Sequence, residues 1–127
     1  MQEKHLFEYA TIRIVPRVER EEFFNVGVVL YCAKRRFLQC KFHLDLDKLK
    51  AFYCENELPE FEKHLLAFKQ ICEGTANSGQ IGELDIPFRF RWLTAVRSTV
   101  IQTSRVHPGF CDDPHNTLNK LFHEMVL

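Results

Sequence analysis

The chain has 127 residues, and its 17 Lys and Arg balance its 17 Asp and Glu, for a formal net charge of zero. That length suits one compact domain over residues 1–127 with a real hydrophobic core, and the charge balance argues against strong non-specific nucleic-acid binding, which needs excess cations to neutralise phosphates. No run approaches the roughly 18 apolar residues of a membrane span, and Met1-Gln2-Glu3-Lys4-His5 lacks the pattern of a signal peptide.

Leu6 to Val15 is predicted as a strand with Ala10, Ile12 and Ile14 on one face and Phe7, Tyr9, Thr11, Arg13 and Val15 on the other. Pro16 stops it, and Arg17 to Glu22 is a charged connection. Phe23 to Cys32 is a second strand. Strict alternation puts Phe24, Val26, Val28, Leu30 and Cys32 on one side and Phe23, Asn25, Gly27, Val29 and Tyr31 on the other. Glycine inside a strand marks a bulge or the close approach of another backbone, so Gly27 is singled out. After the basic turn Ala33-Lys34-Arg35, the segment Arg36 to Leu44 is a third strand, antiparallel to the second; Leu38, Cys40, Phe42 and Leu44 share a face.

Asp45 and Asp47 suit a helix start, followed by Leu46, Leu49, Phe52 and Tyr53 at helical spacing. A second helix has Pro59 in its first turn, a stripe of Phe61, Leu65, Phe68 and Cys72, and Gly74 at its exit. Thr75 to Gly82 reads as a flexible loop, and Ile86 to Val96 is open between helix and strand. Ser98 to Ser104 has strand propensity, and His107 to Cys111 reads as a loop. A final helix runs from Pro114 to about Met125, with Leu118, Leu121, Phe122 and Met125 as its core stripe. Strands, then helices, then a late strand predict an α+β fold: a single layer of mainly antiparallel sheet, about four strands, packed with three or so helices. The 12 Phe supply bulky core material. Five Cys with no C-x-x-C pair read as reduced thiols in a cytoplasmic protein.

Ile86 to Cys111 holds no acidic residue yet carries Arg89, Arg91, Arg97, Arg105 and His107, together with Thr94, Ser98, Thr99, Gln102, Thr103 and Ser104. Such a concentration of donors marks an anion-facing surface or a polar contact. Asp113 reads as the cap of the last helix, with Pro114 at its first position. His107, Cys111, Asp112 and His115 offer N, S and O ligands but no recognised metal-ligand spacing, so no metal is assigned. His43-Leu44-Asp45-Leu46-Asp47 is weaker still, because a helix start explains its carboxylates. In Arg89-Phe90-Arg91-Trp92, the bland reading buries both aromatics and exposes both Arg; the sharper one stacks nucleobases. Lys34, Arg35 and Arg36 fit a solvated hairpin tip.

Three segments resemble the bacterial domain of unknown function 3037 family: Tyr9 to Pro16, Glu22 to Leu30, and Arg91 to Thr99 continued by Ser104, His107-Pro108-Gly109, Asp112-Asp113-Pro114 and Leu121-Phe122. The resemblance implies a small bacterial cytoplasmic protein, often associated with a HipA-like kinase, and assigns no chemistry or cofactor.

The leading reading is a binding or regulatory module that contacts a protein partner, such as a HipA-like kinase, through Arg13, Asn25, Arg97, Ser98, Ser104 and His107, with Asp112 beside them. The alternative is a small enzyme acting on a phosphate ester or nucleotide. There Arg13 and Arg97 clamp the anion, and the catalytic candidates are His107 as acid or base and Asp112 as its orienting group. Ser98, Ser104 and Cys111 are nucleophile types, but no nucleophile-elbow or phosphate-cradling glycine pattern surrounds them. A further alternative is single-stranded nucleic-acid binding. Everything turns on whether Arg13, Asn25, Arg97 and His107 share one side of the sheet.

Overall fold

The computed structural model describes residues 4–16, 22–50, 58–95 and 99–127. Strands β1 (His5–Ile14), β2 (Phe24–Cys32) and β3 (Phe37–Phe42) come first. Helices α1 (Leu46–Lys50), α2 (Leu58–Glu73), α3 (Gly79–Gly82) and α4 (Ile86–Leu93) follow, then β4 (Ile101–Thr103), β5 (His107–Cys111) and α5 (Pro114–Met125). The fold is α+β: an open, antiparallel five-stranded sheet packed with helices. Its order is β3-β2-β1-β4, with β5 also on β1.

β1 is the spine. It pairs with β2 along its whole length on one edge; on the other it pairs with β5 from His5 to Tyr9 and with β4 from Ile12 to Ile14. Being central, it is covered on both faces. Ala10, Ile12 and Ile14 meet Leu49, Phe61, Leu65, Phe68, Cys72, Phe90 and Leu93 from the helices α1, α2 and α4. Phe7 joins Val28, Leu30, Cys32, Cys111, Leu118 and Phe122 beneath α5. Periodicity gave the faces of β1 and β3 correctly, and Phe61, Leu65, Phe68 and Cys72 form the buried side of α2 as expected.

β2 departs from strict alternation. Ile12 pairs with Gly27 but Arg13 pairs with Asn25, so Val26 is an extra residue in a β-bulge. Val26 therefore joins the α2 side while Val28 joins the α5 side, contrary to the single face expected for both. The bulge reverses the side-chain alternation below it. Gly27 is required there, since a Cβ would lie 2.5 Å from the Lys41 carbonyl oxygen and 2.8 Å from the Phe42 Cβ.

Two expected loops are ordered elements. His107 to Cys111 is the strand β5 because β1 offers it a free edge. Pro108, with no N–H, is tolerated on the outermost strand of the sheet. Gly109 is required because a Cβ there would come 2.5 Å from the Phe7 ring. Part of Thr75 to Gly82 is the single turn α3. The open assignment at Ile86 to Val96 resolves as helix through Leu93, with Asp85 accepting the Ile86 N–H (3.0 Å) and Pro in the first turn.

The two strands on the second edge of β1 are joined by Ser104. Its backbone N–H donates to the Thr11 carbonyl, and its Oγ accepts the Thr11 N–H, both at 2.9 Å. The hydroxyl in turn donates to the Arg105 carbonyl (2.9 Å). Ser104→Ala leaves a buried N–H unpaired, so denaturant unfolding is expected to show a loss of about 1–3 kcal/mol at unchanged m-value. Ser104→Thr, which keeps the hydroxyl, recovers most of it.

Candidate functional site

The register places the sequence-predicted residues. On β1, Tyr9, Thr11 and Arg13 point to the α5 side of the sheet, as the opposite face holds Ala10, Ile12 and Ile14. Their cross-strand partners share that side: His107 opposite Tyr9, Gln102 and Asn25 opposite Arg13. Arg13, Asn25 and His107 thus stand on one face. Tyr9 and Arg13 are four residues apart, so about 13 Å of strand separates the His107 end from the Arg13 end. Arg97 and Ser98 lie outside the described residues, as does Cys54.

α5 covers only part of this face: it packs mainly over β2 and β3, and meets β1 and β5 at Phe7 and Cys111. The half nearer β4 carries the polar side chains. There the Arg13 guanidinium lies 4.0 Å above the Phe23 ring, a cation–π arrangement. Among the described residues no carboxylate pairs with it, and its Nε is buried without a hydrogen-bond partner. Thr11, 7% exposed, also keeps its Oγ1 unpartnered. Asn25 donates its side-chain amide to the Met125 carbonyl (3.4 Å) at the end of α5, and its Oδ1 is buried with no partner. His107 is exposed, with its ring 5.4 Å from that of Tyr9.

Ser104 is a different case. Its hydroxyl is committed to Thr11 and Arg105, so it holds the sheet together. The two catalytic candidates are held apart: His107 opens β5 and Asp112 lies beyond its last residue, Cys111. About 13 Å of strand separates His107 from Cys111 alone. Asp112 is therefore in no position to orient the His107 ring. Asp113 caps α5 as expected, accepting the His115 N–H at 3.0 Å, with Pro114 in the first turn.

The acid-free stretch does not form one surface. Arg89 donates to the Leu84 carbonyl (2.9 Å) and Arg91 pairs with Glu8 (2.9 Å), both on the α4 side, whereas His107 is on the α5 side. Arg91 is thus paired with a carboxylate, while Arg89 bonds a backbone carbonyl and keeps a buried Nε without a partner. Phe90 is buried and stacked on Tyr31 (5.1 Å), but Trp92 is 37% exposed, contrary to the expectation that both aromatics are buried. The segment is helical, so strand alternation does not apply; the exposed pair is Phe88 and Trp92, one helical turn apart. At the hairpin tip, Arg36 reaches Asp85 (3.6 Å), and both side chains are largely exposed.

Among the described residues no three His, Cys, Asp or Glu side chains gather closely enough to hold a metal ion, and no helix is long and apolar enough to cross a membrane. Cys32, Cys40, Cys72 and Cys111 are free thiols. Burial raises the pKa of Cys111, with Cys32 adding to the effect, so its thiol is a poor nucleophile and a poor metal ligand. The Cys40 thiol beside Cys72, together with burial, pushes the latter far up as well.

With this geometry in view, the chain matches the family described as protein of unknown function (DUF3037) over residues 9–126, from the middle of β1 to the end of α5. The chain belongs to this family. No curated protein and no solved structure matches it. The family assignment spans the bulge, the Ser104 bridge and the polar half-face alike.

The raised thiols give a pH signature. Above the ordinary thiol pKa of about 8.5, the unfolded chain ionises its cysteines while the folded chain keeps Cys72 and Cys111 protonated. Folding then requires proton uptake, so stability is present below that pH and falls as pH rises through it. The denaturant midpoint is expected to fall less between neutral and alkaline pH for Cys72→Ala than for the natural protein. An equal fall in both would show that the Cys72 thiol does not contribute.

Proposed function

We propose that this protein is a binding module that docks a protein partner on the half of the sheet face left open by α5. The observation that carries this reading is Arg13: a cation held over an aromatic ring on a sheet face, with no carboxylate partner among the described residues. Burying a charge without a partner is costly, and a guanidinium presents a planar fork suited to a carboxylate or phosphate. A partner that brings an anionic group there relieves that cost. Asn25 stands directly opposite and Gln102 on the other flank, while His107 adds a donor farther along the same face.

The separation of His107 from Asp112 speaks for binding over catalysis. The resemblance to domain of unknown function 3037 proteins nominates a cytoplasmic HipA-like kinase as the partner. Its test is a calorimetric titration of the protein with the HipA-like kinase encoded in the same genome. A complex is expected whose affinity falls about tenfold, or about 1.4 kcal/mol, in Arg13→Gln and again in His107→Ala, while Asp112→Ala leaves it unchanged. No heat and no co-elution at micromolar concentration would end the kinase assignment. An affinity indifferent to Arg13→Gln and His107→Ala would move the contact off this face.

A further inference from the structure

The described cysteines form two neighbouring pairs, one on each face of the sheet. On the α5 face, Cys32 ends β2 and Cys111 ends β5, and both are buried beneath the helix. On the other face, Cys40 stands opposite Val29 on β3 and packs into the cluster that contains Cys72, from the last turn of α2. The backbone separates the two cases. β1 lies between β2 and β5. Adjacent strands are about 4.8 Å apart, which puts the Cys32 and Cys111 Cα atoms at least about 9.5 Å apart. A disulfide spans at most about 7 Å between Cα atoms. That pair cannot be bridged while the sheet is intact.

Cys40 and Cys72 face no such barrier. No strand intervenes: α2 packs directly on β3, their backbones approaching within 8 Å. The Cys72 thiol donates to the Cys40 sulfur, so the two sulfurs are in contact. A side-chain rotation is all that separates such a contact from a bond. Their exposure also differs. Cys72 is fully buried, whereas Cys40 is half-buried on β3, the outermost strand of the sheet. A small solute reaches Cys40 first, and Cys72 stands behind it as a second thiol. An accessible thiol with a thiol beside it is the arrangement that oxidation takes to a disulfide instead of to the irreversible acids.

We propose that Cys40 and Cys72 are a redox-active pair that a hydroperoxide converts to a disulfide, stapling the edge strand β3 to α2. In the first step the Cys40 thiolate, its proton lost to solvent, attacks a peroxide oxygen. The O–O bond breaks, the sulfur becomes a sulfenic acid, and the departing oxygen takes up a proton as water or an alcohol. In the second step the Cys72 sulfur attacks the Cys40 sulfur. The S–S bond forms, the S–O bond breaks, and hydroxide leaves with the Cys72 proton as water. Two thiols supply two electrons, and the peroxide takes both. The bond closes the chain that carries α1 and α2 into a loop, which restricts the unfolded state more than the folded one. This pair lies on the opposite face from Arg13 and His107, so it is independent of the partner reading.

The test is oxidation of the folded full chain with hydrogen peroxide, then alkylation of the remaining thiols in denaturant and peptide mass mapping without reduction. A cross-link from Cys40 to Cys72 is expected, with Cys32 and Cys111 recovered as alkylated thiols. The oxidised chain is expected to unfold at a higher denaturant concentration than the reduced one, and a dithiol reductant is expected to reverse both changes. In Cys72→Ala a dimedone probe is expected to label Cys40, whose sulfenic acid has lost the thiol that resolves it. Cys54→Ser is expected to leave the cross-link in place. If Cys72→Ala fails to fold, mapping of the natural chain decides alone. A folded chain that forms no cross-link overturns the proposal. So does a cross-link that joins Cys32 to Cys111 or runs through Cys54, or the same mixture of products from the folded and the denatured chain. A denaturant midpoint that fails to rise on oxidation overturns the staple.

Discussion

The hydroxyl of Ser104 sits where two short strands would otherwise be unrelated. In a regular antiparallel pair, Thr11 and Ser104 would exchange two backbone bonds. Here the chain turns away after β4, and the Ser104 side chain replaces its own carbonyl as the acceptor for the Thr11 N–H. That substitution lets β4 and β5 run end to end along one edge of β1. β1 becomes central, its alternate residues become two buried surfaces, and helices are needed on both sides. The division of the core into an α2/α4 cluster and an α5 cluster follows the two faces of β1 and β2.

The uneven cover over the α5 face follows in turn. A helix of 12 residues is about 18 Å long, and α5 lies against β2 and β3. Its C-terminal end is tied down where Asn25 reaches the Met125 carbonyl. Lys41 reaches Asn119 (3.1 Å) and lies over Phe122, fixing the helix toward the β3 edge. The β1–β4 half of the face is thereby left to Thr11, Arg13 and Gln102. The bulge at Val26 matters here: without the extra residue, strict alternation would turn Asn25 to the opposite face from Arg13. The proposed partner surface depends on that reversal, since Asn25 borders it.

Elements with strong local signals were legible in the sequence. The final helix has its Asp113-Pro114 start and its Leu118 and Phe122 stripe; α2 has Pro59, its Phe61-Leu65-Phe68-Cys72 spacing, and Gly74 with positive φ at its exit. Asp85 followed by Pro87 was the available signal for α4, and it outranks the β-like aromatics that follow it. What failed was what the partner strand decides. His107-Pro108-Gly109 has turn chemistry, and nothing local says that β1 presents an open edge or that the Phe7 ring leaves room there only for glycine. Gly27 marks a close approach and adjoins the bulge residue Val26, but which neighbours change face cannot be read from it. The common side of Arg13, Asn25 and His107 was not legible from strand parity, because Asn25 reaches it only through the bulge and His107 stands on a strand expected as a loop. The commitment of Ser104 to the backbone, and the pairing of Arg91 with Glu8 from 83 residues away, were not legible either.

A chain with no net charge has little long-range field with which to draw in a partner or ligand. Beyond a Debye length of about 8–10 Å, exposed pairs such as Arg36 with Asp85 and Arg91 with Glu8 look neutral to an approaching molecule, and each is worth at most about 1 kcal/mol of stability. Recognition must then rest on short-range features that such pairing does not cancel. Arg13 over Phe23, with its buried Nε, is a feature of that kind, because fixed geometry and partial burial make its contacts stronger than the same group would make in water. Association on these terms is slow to begin and selective once made: the on-rate gains little from steering, while loss of a single buried contact shows mainly in the off-rate.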